Sequence, residues 1–394
     1  MSHYLPPLRF TGATILRDGE MQRRSLSIAD GRITRGPLPE VDLRGYLILP
    51  GIVDLHGDAF ERHIAPRPMA PFAPTIGLAA TDREAAANGV TTAWLAQGWS
   101  WEGGHRSPDR AEALMEALDA YRGQMLTDLR LQIRCETHMV ETGQRLLDAI
   151  RRHRIGYVVF NNHVDDAAET ARTRPDRLAL WAAQAGQCPA TYRERIAAAH
   201  EQAGEVPRHL CRLADAFDEM GVLYGSHDDP DGETRERFSM IGARIAEFPL
   251  TRRAAAAAKA MNDPVLLGAP NVVRGGSQAG NVSALDLIAQ GLCDGLVSDY
   301  YYPALTHAVW RLVDSGLMDL PRAWALISER PAAILRLPDR GRLDQGRRAD
   351  LCMVNARTRA VEMTVAGGRL TYLAGEAAHR LASRLHHTLG MAAE

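Results

Sequence analysis

Eight short apolar runs, each separated from the next by a stretch of helical composition or a loop, recur between residues 52 and 298. They lie at 52–56, 90–96, 130–136, 156–160, 221–225, 243–248, 264–268 and 295–298, and helices are expected at 108–123, 140–154, 190–220, 251–261 and 282–291. Alternating strands and helices build parallel sheet, because each crossover helix covers a face of the strands it joins. Eight such units within residues 51–337 predict an α/β fold, a TIM (β/α)8 barrel. The gap at 164–220 exceeds an ordinary connection and is expected to carry extra helices over the barrel mouth.

The two ends of the chain have a different grain. Residues 1–50 hold the short runs Leu8–Phe10, Ala13–Leu16, Ser25–Ile28 and Tyr46–Leu49, separated by Asp18-Gly19, Asp30-Gly31 and Gly36-Pro37. They suggest a small antiparallel β unit. Residues 338–394 answer with 349–354, 361–365 and 366–370. Neither end can enclose a core alone, so the two are expected to pair into one composite β-sandwich.

A formal charge of −2 gives no basic field for nucleic acid and no acidic solvating tail. Arginine carries the positive charge, for Lys259 is the only lysine. The five cysteines are scattered without a CxxC pair, which suits a reducing compartment and speaks against thiolate zinc sites. No run approaches the ~18 apolar residues of a membrane span, and the N-terminus has no signal-peptide pattern. A cytoplasmic protein with no membrane partner is expected, and a homo-oligomer is left open.

The chemistry is concentrated in the strand ends. On the first strand His56 and Asp58 are two positions apart and share a side. Glu136 and His138 follow the third strand, His163 the fourth, His227 the fifth and Asp299 the eighth. Each alone has a structural alternative, as a cap, a turn or a satisfied core residue. Together they match the rule that barrel active sites gather at the C-terminal ends of several strands. His56, Asp58, Glu136, His163, His227 and Asp299 form a ligand set for one or two divalent ions, with zinc first and manganese or iron as alternatives.

Pro50-Gly51 leading into Asp54-Leu55-His56, with an Asp ending the eighth strand and a split β unit, resembles the amidohydrolase superfamily. Val53–Arg62 with Pro66-Arg67-Pro68, Cys135–His138, Gly225–Asp229, Ala246–Pro249 and Gly268–Ser277 resemble its PhnM branch, which acts in phosphonate breakdown. The resemblance implies metal-dependent hydrolysis of alpha-D-ribose 1-methylphosphonate 5-triphosphate to the 5-phosphate and pyrophosphate. Asp58 stands where most of the superfamily has a second histidine. Lys259 sits in a helical stretch far from any strand end, so a lysine bridge between metals is not expected and Glu136 substitutes for it. Asp299 is expected to take the proton of the attacking water, and His138 to be a further ligand or a phosphate contact. Arg62, His63, Arg67, Arg274 and Ser277 are the expected substrate contacts, since a triphosphate needs cations and close backbone approach.

Two other readings remain open here: hydrolysis of a C–N bond by a deaminase or cyclic amidase of the same superfamily, and a non-catalytic barrel serving as scaffold in a phosphonate-processing complex. Trp94, Trp99 and Trp101 with Gly98, Gly103 and Gly104 are read as core, lid or substrate contact after the second strand. Asp228–Glu233 lacks EF-hand spacing and is read as the turn into a helix near Thr234.

Overall fold

A computed structural model of the chain describes residues 4–67, 70–277 and 280–391; Pro68 and the chain's extreme ends lie outside the described residues. Eight parallel strands run in chain order around one sheet: β1 (Ile52–Gly57), β2 (Val90–Trp99), β3 (Asp128–Glu136), β4 (Tyr157–Asn161), β5 (Leu223–His227), β6 (Ile245–Glu247), β7 (Val265–Gly268) and β8 (Gly295–Val297). This is the (β/α)8 barrel expected from the alternating pattern. Val53, Leu55, Trp94, Tyr157, Val159, Ile245, Leu266 and Val297, drawn from six strands, meet in one apolar cluster inside it. The larger core lies between strands and surrounding helices, which is why β2 is buried along its whole length.

The seam between β1 and β8 is closed by a single bridge, Gly57 to Asp299. Asp299 N–H donates to the His56 carbonyl at 3.0 Å, and Asp58 N–H donates to the Asp299 carbonyl at 2.8 Å. Buried Asp54 accepts from the Ser298 N–H at 2.9 Å and from its hydroxyl at 2.6 Å. Gly57 is required there, since a Cβ would stand 2.9 Å from Ser298 Oγ and 3.0 Å from Asp54 Oδ2. The closing contacts thus use His56, Asp58 and Asp299, residues that the sequence singles out as site candidates.

Tyr46–Pro50 pairs antiparallel with Leu351–Asn355, joining the two ends of the chain in a six-stranded sheet. A four-stranded sheet built from residues 8–42 packs with it around a separate core that includes Phe10, Ile48 and Met353. The expectation of a purely antiparallel unit is corrected. Leu8–Thr11 runs parallel to Glu40–Asp42, and Thr14–Arg17 parallel to Tyr46–Pro50, because intervening hairpins carry the chain back to the starting edge.

The long connection after β4 holds Val164–Thr173, Pro175–Gln184 and Pro189–Glu201 before the barrel helix Val206–Met220. The single helix expected over 190–220 is therefore two, separated at Gln202–Gly204. Pro175, Pro189 and Pro207 stand in the first turns of these helices, where a missing N–H costs no hydrogen bond. Val164, Leu178, Ala182, Tyr192 and Ile196 form a small core of their own, and Trp101 from the β2 loop plugs into it. Trp94 and Trp99 are core residues. Asp231 caps Gly232–Met240 by accepting from the Thr234 N–H at 2.7 Å, as the turn motif anticipates. Among the described residues no helix is long and apolar enough to cross a membrane.

Arg340 connects the two units. Its guanidinium, 5% exposed, donates to Asp128 Oδ2 at 2.7 Å at the start of β3. Although burial opposes the charge, Arg130 and Arg340 hold the Asp128 carboxyl down at about 2. A depressed carboxyl contributes stability that is complete above its unfolded pKa and is lost as pH falls through the folded one. Asp128→Asn is expected to cost about 2 kcal/mol at neutral pH. It should also flatten the loss of stability between pH 4 and 2, as read by urea unfolding across that range.

Candidate functional site

The strand ends converge on one buried carboxylate. Glu247, the last residue of β6, is fully buried. His56 Nδ1 on β1 lies 2.7 Å from its Oε2, while Gln132 Nε2 on β3 and the Tyr157 hydroxyl on β4 donate to its Oε1 at 2.6 and 2.5 Å. None of these strands adjoins β6, so the bonds cross the barrel interior. Burial opposes ionisation of both members of the His56–Glu247 pair, yet their attraction holds Glu247 below and His56 above its ordinary range.

His227, at the end of β5, faces His56 with ring centroids 5.2 Å apart, and Phe248 lies against both rings. Burial pulls the His227 imidazole down to about 4, which leaves it neutral at physiological pH. Its Nδ1 is 3.0 Å from Asp228 Oδ2 but without the alignment of a hydrogen bond. Donor atoms of His56, His227 and Glu247 all lie within 4.8 Å of one another. A neutral buried imidazole with an unused nitrogen beside a buried carboxylate fits a divalent cation. Glu247 already receives three hydrogen bonds, so its better role is to hold His56 Nδ1–H and leave Nε2 for an ion.

The remaining predicted residues divide into groups. Asp58 and Asp299 are tied to the seam through their backbones, as described, and neither belongs to the compact donor cluster of His56, His227 and Glu247. Burial, seconded by the Asp58 carboxylate, pushes the Asp299 carboxyl up to about 6. Glu136 and His163 form a second pair on the same rim: His163 Nδ1 is 2.5 Å from Glu136 Oε1, and its backbone N–H donates to Oε2 at 3.1 Å. Burial opposes the Glu136 charge, but His163 holds the carboxyl at about 2. Glu136 does not enter the compact donor cluster; the carboxylate found there is Glu247. His138 is half-buried, its Nδ1 3.0 Å from Thr137 Oγ1, and burial lowers its pKa.

Of the expected substrate contacts, Arg62 donates to the Tyr300 carbonyl at 2.5 Å and pairs with Glu84, and His63 Nε2 lies 2.6 Å from the other Glu84 oxygen. Both are thereby tied to the helix Pro74–Ala87. Arg67 is exposed beyond the first short helix. Arg274 ends the helix Ala269–Arg274 and Ser277 follows it in a loop. Gly275 has φ 84° and caps that helix, so the glycine answers a backbone need. Lys259 pairs with Asp294 at 2.7 Å, away from the cluster, in keeping with the absence of a lysine bridge.

Several residues of the site carry little sequence signal. Trp101 donates to Glu136 Oε2 at 3.3 Å from the loop after β2. Arg134 shares the charge field of His56, Glu136, His163, His227 and Asp299. The Asn161 amide, with its oxygen turned toward Arg134, accepts from Nη2 and Nε at 3.0 and 3.2 Å. Alternation on β3 places Arg134 beside Glu136 and Gln132 on one face, the signal from which it could have been found. Beside His163 opens a cavity of about 870 Å³ lined by the β1 and β2 loops and the helices of the long connection.

The fold and the rim of histidines and carboxylates are those of a hydrolase of the amidohydrolase superfamily. In fold the chain is similar to a putative prolidase from Bifidobacterium longum (TM-score 0.64, 16% identity, 98% of this chain and 99% of that one). A dihydropyrimidinase from Brevibacillus agri NCHU1002 has a TM-score of 0.62 at 10% identity, covering 94% of this chain and 97% of that one. In sequence the chain is 31% identical over 359 residues to the alpha-D-ribose 1-methylphosphonate 5-triphosphate diphosphatase of Escherichia coli (strain K12), covering 86% of this chain and 93% of that protein. The chain belongs to that protein's family, the PhnM branch of the superfamily. No family model matches the chain.

If Glu247 orients His56, Glu247→Gln should weaken metal affinity by about 10–100-fold, the usual range for loss of a carboxylate behind a ligating histidine. His227→Ala should weaken it further. Zinc content by plasma emission after dialysis against a graded chelator checks both; full retention by Glu247→Gln would dismiss the orienting role.

Proposed function

We propose that the chain hydrolyses alpha-D-ribose 1-methylphosphonate 5-triphosphate, releasing pyrophosphate and leaving the 5-phosphate. The observation that carries this reading is the 31% identity spanning 93% of the Escherichia coli diphosphatase. The cation-lined cavity beside His163 supports it, because a polyphosphate is the kind of anion that such a lining attracts.

His56, Asp58, His227 and Asp299 would hold the divalent ion, with Glu247 behind His56; Glu136 and His163 would supply a second position. When bound, the ion neutralises phosphate charge and lowers the pKa of water. Asp299, with its carboxyl near 6, can accept a proton at neutral pH and return it to a departing oxygen. Its backbone is fixed on both sides by the seam bonds to His56 and Asp58, so the carboxyl has little freedom to leave the rim. Arg134, held by Asn161, adds a fixed positive charge where phosphate oxygens would gather. Trp101 and His163 together orient Glu136.

Asp299→Asn preserves shape and removes the proton acceptor. Its turnover is expected to fall by about 10²–10⁴-fold, the usual contribution of a general base. Pyrophosphate release from the triphosphate ester, measured beside challenges with a hydantoin and an aminopurine, checks the reading. Turnover of the C–N substrates alone would replace it with the amidase alternative.

A further inference from the structure

The cavity beside His163 is better supplied with cations than its carboxylates require. Arg62 answers Glu84, His105 answers Glu61 at 3.5 Å, and Arg106 answers Glu102 at 3.0 Å. Arg110 and Arg177 also line the cavity, and among the described residues neither makes an ion pair. Asp166 is the one lining carboxylate outside those pairs. Arg110 comes from the helix Pro108–Tyr121, Arg177 from Pro175–Gln184 in the long connection. The Arg177 guanidinium lies over the Trp181 ring, 5.0 Å from its centroid, which fixes the plane of its donors without using them.

The walls that carry these arginines are fitted closely. At Gly104, φ 57°, an added Cβ would stand 2.8 Å from the Ala185 carbonyl, and at Gly103, φ 78°, it would stand 2.6 Å from Gln187 Nε2. Gln187 Nε2 in turn donates to the Glu102 carbonyl at 2.8 Å. The β2 loop and the long connection are therefore seated against each other, which holds in place the helix backbones from which the exposed Arg110 and Arg177 side chains reach the cavity. The chemical end of the cavity is His163, bonded to Glu136 on the rim.

We propose that Arg110 and Arg177 form the subsite for the outer two phosphates of the substrate, the part that leaves as pyrophosphate. The proposal rests on the diphosphatase reading and adds to it the residues that hold the leaving group. Two guanidiniums with unengaged planar forks suit a dense anion whose oxygens can each take paired hydrogen bonds. Arg106 is consumed by Glu102 and Arg62 by Glu84, so neither competes for that role.

Calorimetric titration of the metal-loaded protein with inorganic pyrophosphate tests the subsite apart from turnover. Arg110→Ala and Arg177→Ala are each expected to weaken binding by about tenfold, as for loss of a charge-assisted hydrogen bond. Each should raise KM for the triphosphate ester in step. The Arg110→Lys, Arg177→Lys double variant should retain most of the affinity that the double alanine variant loses, which a general folding defect would not allow. Pyrophosphate affinity unchanged in the double alanine variant would overturn the subsite while leaving the diphosphatase reading intact. Arginine-dependent pyrophosphate binding by a protein that releases none from the triphosphate ester would uphold the subsite and sink the reading on which its role rests.

Discussion

One buried carboxylate organises the interior of this barrel. Glu247 could not be ionised among apolar side chains unless its charge were met, and it is met from β1, β3 and β4 at once. Removing any donor would leave part of a charge unsatisfied in a place water does not reach, so the arrangement enforces itself. A consequence is that His56 has one orientation. Its Nδ1 is committed to Glu247, and its ring lies against that of His227 with centroids 5.2 Å apart. The same interaction that lets the interior tolerate a charge therefore also fixes the His56 ring on the first strand, at the site where a metal ion would bind on the proposed reading.

The rim above it is built against backbone preference. Asp228 after β5, Phe248 after β6 and Asp299 after β8 all have positive φ, at 59°, 50° and 56°. Aspartate visits this region at modest cost; a phenylalanine does so only when its surroundings hold it there. Phe248 packs on both His56 and His227, so the strained residue keeps the two imidazoles apart and facing. Asp299 is strained at the one place where the barrel closes. Closure, positive-φ backbone and the candidate site thus occupy the same few residues, and a change at Ser298 or Gly57 would disturb the rim without touching a substrate.

The barrel was legible because its evidence is local: strand-like runs and helical stretches alternate, and each of the eight runs has its strand. The composite sheet was legible from the inability of either terminus to enclose a core. What escaped was whatever depends on contact across the cylinder. Glu136 and Glu247 both end a strand, and no spacing rule says which carboxylate meets His56; only β1 and β6 lying opposite each other decides it. The arginines followed the same logic. Arg62 was singled out by its neighbours in sequence, yet Glu84, on the next helix, already engages it. Arg110 and Arg177 belong to unremarkable helical stretches and gain meaning from the cavity they share. Proline at the starts of the helices in the long connection was a readable signal for its true division.

That long connection does more than cover the barrel mouth. Its small core accepts Trp101, whose ring lies tilted against Tyr192 with centroids 5.8 Å apart, while the indole N–H reaches Glu136. Tyr192 also donates to Glu102, the partner of Arg106, at 3.3 Å. Packing within the connection is therefore coupled to the orientation of a rim carboxylate and to the charge balance of the cavity. A barrel of this class keeps its chemistry on strand ends, where backbone hydrogen bonds fix position, and leaves substrate choice to the loops and helices above. Here the two layers share Trp101 and Glu136, so the elements that would recognise a substrate also help to place the groups that would act on it.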